Sequence, residues 1–275
     1  MNEDQNYSAS REHNRRAWDE MARGKQRFTH PAKDEDFADP LKTVDGVGWL
    51  GGDIRGMTLL CLAAGGGRQS ALYAAAGASV TVVDISPDML LLDRQVAAER
   101  KLDVRTVETS MDNLSMFDAG QFDIVIHPVS TCYLPDICRV HVQVARVTRP
   151  GGIYISQHKQ PVSLQASIEL GSRGYELREP YYREGPLPPV QGSRLREEGT
   201  HEFLHRWEEI IGGMCRAGFV IEDLVEPFHA ETDAAPGDFA HRCTYVAPYV
   251  RIKARRTSGG NQANQHAGIW TPSDG

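Results

Sequence analysis

The feature that most restricts the fold of this 275-residue chain is a regular alternation of apolar runs and helical stretches between residues 57 and 158. Runs rich in β-branched residues predict strands, and the amphipathic stretches between them predict helices. Alternation of this kind is typical of α/β folds built on a parallel sheet. We therefore predict five strands, at 57–63, 79–85, 103–109, 122–128 and 151–158.

Three helices are predicted between these strands, at 68–77, 86–100 and 135–150. Gly77 stands where a left-handed C-cap is expected, and Ser86 is the N-cap candidate of the second helix, followed by Pro87 in its first turn. Further along the chain, the pattern predicts an amphipathic helix over 201–218 and two more strands, at 219–225 and 249–255.

Less regular segments flank and interrupt this pattern. Residues 1–40 are charged and contain one helix, around 14–22, so we expect a helical lid there. Residues 160–200 are rich in Pro, Gly, Arg and Tyr without periodicity, which favours a cap inserted into the domain at 41–255. The tail at 256–275 has few apolar residues and is predicted to be disordered.

Composition narrows the classes of protein. The formal net charge of −7 disfavours nucleic-acid binding, and no apolar run is long enough to span a bilayer. The polar N-terminus is not a signal peptide, and the five cysteines form no C-x-x-C pair or metal-ligand pattern. We therefore expect a reduced cytoplasmic protein with neither a metal, a nucleic-acid nor a membrane partner. The sequence does not indicate an oligomeric state.

The first predicted strand stops at three glycines, in LLCLAAGGGRQS at residues 59–70. A strand, a glycine-rich turn and a helix place backbone N–H groups at the carboxyl edge of a parallel sheet, where ligands of doubly wound folds bind. Without Cβ atoms at Gly65 and Gly67, a flat or anionic group could approach the backbone. A buried tight turn would also require glycines.

Asp84 ends the second predicted strand, nineteen residues after Gly65. A carboxylate at this tip offers two acceptor oxygens to the hydroxyls of a ribose. It could instead cap the following helix, although Ser86 is better placed for that. Together, the glycine turn and Asp84 favour a nucleoside-containing cofactor, either NAD(P) or S-adenosylmethionine. The dinucleotide fingerprint fits loosely, because Ser70 would have to serve as its third small residue.

The ordered set of glycine turn, Asp84, FDIVIH at 122–127 and RPGG at 149–152 resembles class I S-adenosylmethionine-dependent methyltransferases of the small-molecule branch. The likeness covers roughly residues 10 to 253. It implies a Rossmann-like, doubly wound α/β fold with helices on both faces of a seven-stranded sheet, mostly parallel, with one antiparallel strand beside the fifth. It also implies methyl transfer from S-adenosylmethionine to an O or N atom of a small-molecule acceptor, leaving S-adenosylhomocysteine.

The resemblance implies contacts to the methionine part of the cofactor. The backbone around Ala63, Gly65 and Gly67 would lie against it, with Ala63 replacing the first glycine of the family motif. Gln69 would add a polar contact at the turn. The carbonyl of His127, at the end of the fourth strand, would meet the methionine ammonium group.

The resemblance also implies contacts to the nucleoside part. Asp84 would hold the ribose, and Ile85 would pack on one face of the adenine. Met111 and Asp112 would contact the adenine ring and its amino group. Ser110 replaces an aspartate that is common in the family.

Methyl transfer requires a base only if the acceptor must lose a proton. Candidates are the polar residues at the carboxyl ends of the fourth and fifth strands and on the cap: His127, Tyr133, His158, His205 and His241. Each histidine has another interpretation, as a packing residue, a solvated strand end or the polar side of a helix. For Tyr133 we favour the wall of a pocket, where a tyrosine offers both a ring and a hydroxyl.

Three further aromatic residues admit two interpretations. Trp18 is either a lid residue over the site or an anchor for its helix. Tyr181 and Tyr182 either line an acceptor site or lie on the surface.

Two other functions stay open. A non-catalytic S-adenosylmethionine-binding protein would share the fold. An NAD(P)-dependent oxidoreductase would need an acid for hydride transfer. The Tyr-x-x-x-Lys spacing from Tyr249 to Lys253 lies in a predicted strand, without the helix that this chemistry uses.

Overall fold

The fold was analysed in a computed structural model that describes residues 3–258. Its centre is a seven-stranded sheet in the order β3-β2-β1-β4-β5-β7-β6. The strands are β1 Thr58–Leu62, β2 Ser79–Asp84, β3 Val104–Glu108, β4 Phe122–His127, β5 Thr148–Lys159, β6 Phe219–Val225 and β7 Tyr249–Arg256. The first five run parallel, and β7 lies antiparallel between β5 and β6. The predicted fold class is confirmed.

Helices connect and cover these strands. They are α1 Glu3–Arg23, α2 Pro40–Val44, α3 Gln69–Ala75, α4 Pro87–Arg100, α5 Ile137–Val147, α6 Pro161–Gln165, α7 Gly213–Arg216 and α8 Phe239–Arg242. Ser86 caps α4 by accepting a hydrogen bond from Met89 N at 3.1 Å. Gly77 has a φ of 97°, so the predicted left-handed position after α3 is confirmed.

The sheet is apolar on both faces, as expected for parallel strands covered by helices on either side. Along β1, Leu60 and Leu62 point into one core with Val140 and Val144 of α5. Leu59 and Cys61 point into the other core, where Tyr73 of α3 and Leu90 of α4 pack. The carboxyl ends of the parallel strands stay uncovered by these helices and form one edge of the sheet.

Three predicted elements have other boundaries. The predicted helix over 201–218 is wrong in its first half, because residues 201–206 have no regular secondary structure and a π-helical turn at Glu208–Gly212 precedes α7. Phe203 N donates to the carbonyl of Cys132 at 2.7 Å, so backbone pairing with a neighbouring segment overrides the helical pattern. The N-terminal helix is longer than predicted, and α5 ends at Val147. Residues 259–275, most of the predicted tail, lie outside the described residues.

Candidate active site

A cavity of about 590 Å³ lies at the carboxyl edge of the sheet, beneath α1 and the segment that follows it. One side, the glycine-turn half, is lined by Ala63, Gly65, Gly66, Gln69, Asp84, Ile85, Met89, Ser110 and Met111. The other side, the cap half, is lined by Trp18, Arg27, Tyr133, Gln157, Glu197, His229, Phe239, Tyr249 and Arg251. Ligands of doubly wound sheets bind at this edge.

The glycine turn after β1 is built around two carboxylates. Gly65 N donates to Asp84 Oδ2 and Gly66 N donates to Asp93 Oδ2, each at 2.9 Å. A Cβ atom on Gly65 would lie 2.8 Å from Met89 Cβ and 2.9 Å from Asp84 Oδ2. Gly65 therefore allows the turn to close onto the tip of β2.

Gly67, expected to lie against the cofactor, is not among the residues that line the cavity. Its φ is 72°, and a Cβ atom there would lie 2.9 Å from both Leu92 O and Val96 Cγ2. This glycine is required by close packing on α4, which is the alternative that the sequence left open.

Ala63 lies in the cavity wall with a φ of 47°, in the left-handed region that residues with a Cβ atom rarely adopt. It occupies the position where the family motif has its first glycine. The backbone at the end of β1 therefore has a conformation that glycine adopts at lower energy.

Asp84 is buried but lines the cavity. Besides the bond from Gly65, its Oδ1 accepts from Ser86 N at 2.9 Å. Burial raises the pKa of this carboxyl, and the backbone hydrogen bonds partly oppose that rise. Each carboxylate oxygen can accept a second hydrogen bond, so the group can still bind hydroxyls in the cavity.

The surroundings of Asp84 suit a flat, partly apolar group. Ile85, Met89 and Met111 line this side, and Gln69 Oε1 is buried here without a hydrogen-bond partner among residues 3–258. Asp112, expected to contact the adenine, does not line the cavity. Its carboxylate accepts from the Ser110 hydroxyl and pairs with Arg11 of α1 at 3.4 Å, so it fastens α1 to the sheet edge.

The three strongest histidine candidates lie in the core and do not line the cavity. His127 Nδ1 is 2.9 Å from the Tyr154 hydroxyl, and His205 Nε2 donates to the carbonyl of Thr131 at 3.0 Å. His158 lies between two hydroxyls, with Nδ1 2.9 Å from Thr131 Oγ1. Burial lowers the pKa of all three imidazoles, that of His127 to about 3. The packing interpretation offered for His127 agrees with this burial, whereas the solvated strand end offered for His158 and the polar helix side offered for His205 are wrong.

The other predicted side chains divide between the cavity and the surface. Tyr133 lines the cavity, its ring centroid is 5.5 Å from that of Trp18, and its hydroxyl donates to Glu197 Oε2 at 2.7 Å. His241 is 3.0 Å from the Tyr175 hydroxyl and, like Tyr181, does not line the cavity. Tyr182 is exposed.

A buried ionic network behind Tyr133 was missed from the sequence. Lys159 Nζ contacts Glu197 Oε2 at 2.6 Å and also contacts Glu202 Oε1. Arg196 pairs with the other oxygen of Glu202. Two cations and two carboxylates thus balance at the end of β5, and Lys159 lowers the pKa of Glu197 although burial opposes this. Lys159 follows His158, for which a solvated strand end was one interpretation, and no periodicity distinguishes a solvated strand end from a buried one.

The contribution of the loop between β6 and β7 to the cavity wall was also missed, because the candidate predicted there, His241, does not line the cavity. The loop contributes His229 and Phe239, with ring centroids 5.9 Å apart, and His229 also meets Tyr249 at 5.6 Å. Lys253 pairs with Glu222 at 3.3 Å and does not line the cavity as Tyr249 does, so the Tyr-x-x-x-Lys spacing forms no dyad there.

Two absences apply to residues 3–258. They contain no group of three or more His, Cys, Asp or Glu side chains that could hold a metal ion. None of their helices has both the length and the apolar character needed to cross a membrane.

Comparisons with known proteins agree with this geometry. Residues 60–156 match the family described as methyltransferase domain. The chain is 34% identical over 229 residues to the uncharacterized methyltransferase YbaJ of Bacillus subtilis, covering 78% of this chain and 89% of that protein. It is 31% identical over 158 residues to the ubiquinone biosynthesis O-methyltransferase of Bordetella avium, covering 57% of this chain and 58% of that protein.

Among solved structures, an S-adenosylmethionine-dependent methyltransferase from Mesorhizobium loti superposes with a TM-score of 0.60 at 20% identity. The match covers 74% of this chain and 93% of that chain. At this identity, the likeness supports the fold.

Proposed function

The chain belongs to the class I S-adenosylmethionine-dependent methyltransferases, and from this premise we propose that it methylates an oxygen or nitrogen atom of a small-molecule acceptor. The observation that carries the proposal is the continuity of one cavity from Asp84 and the glycine turn to Tyr133 and Glu197. A volume of about 590 Å³ lies within the range of small-molecule sites. The relative from Bordetella avium, an O-methyltransferase of ubiquinone biosynthesis, is consistent with such an acceptor.

The glycine-turn half has the groups that S-adenosylmethionine requires. We assign the ribose to Asp84, one face of the adenine to Ile85 and the other side of the slot to Met111. Ala63, Gly65 and the unpartnered Gln69 Oε1 would contact the methionine part. Gly67, Asp112 and His127, which the resemblance also implied, do not line the cavity. In this proposal they therefore do not contact the cofactor.

S-adenosylmethionine supplies a methyl group that its sulfonium already activates, so the chain mainly has to position the acceptor and exclude water. Tyr133 is the candidate that would contact the acceptor. For a hydroxyl acceptor, the phenol oxygen of Tyr133 takes the acceptor's proton while its own proton passes to Glu197. S-adenosylmethionine would supply the methyl group to the acceptor oxygen and would keep the electron pair of the broken bond on its sulfur. Because Lys159 lowers the pKa of Glu197, this carboxylate is a weak base. Positioning of the acceptor therefore contributes more to the reaction than removal of its proton.

Two segments would close the site. We infer that residues 1–40 form a lid and that residues 160–200 form a cap on the domain at 41–255. Asn14 of α1 donates to the carbonyls of Tyr133 and His201, each at 2.9 Å. On the other side, Asp19 of α1 accepts from the Ser86 hydroxyl at 2.6 Å. These contacts support a lid that joins both halves of the cavity.

The five cysteines are free thiols in the described structure. On this basis we also propose that the protein acts in a reducing compartment, the cytoplasm.

The test is calorimetric titration with S-adenosylmethionine, S-adenosylhomocysteine and NADPH. We expect the first two to bind and NADPH not to bind. Asp84→Asn should weaken both by about 10- to 100-fold, because a hydrogen bond between a hydroxyl and a charged acceptor is worth about 1.5–3 kcal/mol. Asparagine keeps an acceptor oxygen for one of the two backbone amides, of Gly65 and Ser86, that donate to Asp84.

Asp123→Asn is the matched control, since Asp123 likewise accepts a backbone hydrogen bond, from Thr58 N at 2.7 Å, at the opposite edge of the sheet. Asp123→Asn should lower the stability of the protein without lowering its affinity for S-adenosylmethionine or S-adenosylhomocysteine. Binding of NADPH alone, or equal affinities for wild type and Asp84→Asn, would contradict the proposal.

A further inference from the structure

The lining of the cavity is basic, although the whole chain is acidic. Acidic side chains outnumber Lys and Arg in the sequence by 37 to 30. In the cavity lining the cations are in excess, since Asp84 and Glu197 are its two acidic residues and five of its residues are Lys or Arg. Its cationic lining residues are Arg11, Arg27, Lys33, Arg68 and Arg251. Cations gathered in a cleft against the charge of the protein indicate an anionic ligand.

Three of these cations are neutralised by carboxylates outside the cavity. The pairs are Arg11 with Asp112 at 3.4 Å, Lys33 with Glu35 at 3.5 Å and Arg68 with Asp36 at 2.7 Å. They therefore contribute less to the potential inside the cavity.

Arg27 and Arg251 differ, because within residues 3–258 no carboxylate lies within 4.0 Å of either guanidinium. Arg27 donates to the carbonyl of Arg194 at 2.9 Å and lies over the Phe28 ring at 4.6 Å. Arg251 donates through Nε to Gln157 Oε1 at 2.5 Å. Each contact is neutral, so both charges stay uncompensated. A guanidinium has five N–H donors in a planar fork that matches carboxylate and phosphate groups.

Both arginines belong to the cap half of the cavity. Arg251 is on β7, three strands away from β1 in the sheet order, which corresponds to about 14 Å at the spacing of neighbouring strands. Burial and the Arg251 charge lower the pKa of His229, and the Arg27 charge opposes the rise that burial causes in the pKa of Tyr249. His229 and Tyr249 are in contact, with ring centroids 5.6 Å apart, and both line the same cavity as the two arginines.

We propose that Arg27 and Arg251 form a subsite for an anionic oxygen group, a carboxylate or a phosphate, of the methyl acceptor. The aromatic wall of His229, Phe239 and Tyr249 receives the apolar body that carries this group. The inference rests on the proposed function, since it names the class of acceptor for the same cavity. The carboxylate of the cofactor is the other possible source of such an anion, and the test separates the two.

The test uses benzoate, phenyl phosphate and the neutral benzamide as probes, titrated into the protein saturated with S-adenosylhomocysteine. We expect benzoate or phenyl phosphate to bind and benzamide to bind at least tenfold more weakly. Arg251→Gln and Arg27→Gln should each weaken the anionic probe by tenfold or more. Arg255→Gln is the matched control, on the same strand but paired with Glu222, and should leave probe affinity unchanged.

The affinity for S-adenosylhomocysteine separates the remaining outcomes. If Arg251→Gln and Arg27→Gln change it by less than twofold, the subsite belongs to the acceptor. A loss of tenfold or more would assign these arginines to the cofactor's carboxylate and overturn the inference. Failure of both anionic probes to bind the wild-type complex would overturn it as well. If S-adenosylhomocysteine itself does not bind, the proposed function is the part that fails.

Discussion

The glycine-turn half of the cavity draws on three short stretches, residues 63–69, 84–89 and 110–111, whereas the cap half collects single residues spread between 18 and 251. In the first half, carboxylates are held by backbone amides of neighbouring turns. In the second, carboxylates are held by cations, and Lys159 comes from a segment distant from both of its partners. The difference teaches that a cavity with one function can have two kinds of support. One depends on local backbone geometry and the other on the whole chain being folded.

The two halves also differ in charge balance. Asp84 and Asp93 are buried with no cation from the described part of the chain in contact, and burial raises the pKa of both. Glu197 is buried to a similar degree, but Lys159 lowers its pKa. Stability should therefore respond to mutation most strongly in the cap half and to pH most strongly in the glycine-turn half.

The largest effect is expected from Lys159→Met. The substitution leaves Glu197 and Glu202 buried without their shared cation, and breaking a buried ion pair costs about 3–5 kcal/mol. Chemical denaturation at pH 7 measures this loss. Arg16→Gln is the control, because its pair with Glu12 is exposed and worth about 0.5 kcal/mol or less.

If Lys159→Met does not fold, the double variant Lys159→Met/Glu197→Gln still tests the idea. It removes one charge of each sign and keeps the pair of Arg196 and Glu202. We expect it to regain more than half of the lost stability. If Lys159→Met alone is as stable as the wild type, the ionic network does not support the cap half.

The second prediction concerns Asp93, behind the glycine turn. Burial raises its pKa from 3.8 to about 7 in the folded protein, despite hydrogen bonds from Ser70 and Gly66. Between about pH 4 and pH 7, the folded state therefore holds a proton that the unfolded state has released. The contribution of Asp93 to stability falls across this window as pH rises, by up to about 4 kcal/mol.

Denaturation curves for wild type and Asp93→Asn at pH 5, 6, 7 and 8 measure the effect. The variant should be less sensitive to pH than the wild type, with the difference growing up to about pH 7. Asp123→Asn is the control, because hydrogen bonds from Thr58 lower the pKa of Asp123 in spite of burial. The contribution of the Asp123 carboxylate to stability should be lost only in acid. Parallel curves for wild type and Asp93→Asn would contradict the prediction.

The same contrast explains what the sequence could reveal. Asp84, Ile85 and Met111, which line the cavity, could be predicted to lie at one edge of the sheet because strand tips and glycine turns are local patterns with fixed separations. Ser86 and Gly77 were identified from the preferences of helix ends, which are equally local. For these residues, a few neighbours in sequence determine the position of the backbone.

The cap half could not be found in this way. Lys159 and Glu202 are separated by 43 residues, and nothing in either neighbourhood marks them as partners. His127 and His158 stand at the carboxyl ends of strands, as catalytic residues often do, and His205 follows the cap at 160–200, but each side chain turns into the core. Alternation along a strand predicts a face of the sheet, yet it does not distinguish the core from a cavity at the strand's end.

The smallest effect is expected from Ala63→Gly, and its sign tests how the glycine-turn half is built. A left-handed conformation costs a residue with a Cβ atom about 1–2 kcal/mol, while glycine loses about 0.5–1 kcal/mol more through the entropy of the unfolded chain. The variant should therefore gain about 0.5–1 kcal/mol in stability. Ala64→Gly, next to it but without a positive φ, should lose a similar amount. Affinity for S-adenosylhomocysteine should change by less than twofold in both, because the backbone of the turn is already held by Asp84 and Asp93. If Ala63→Gly weakens binding, the strained alanine itself orders the turn, and local geometry alone does not support this half.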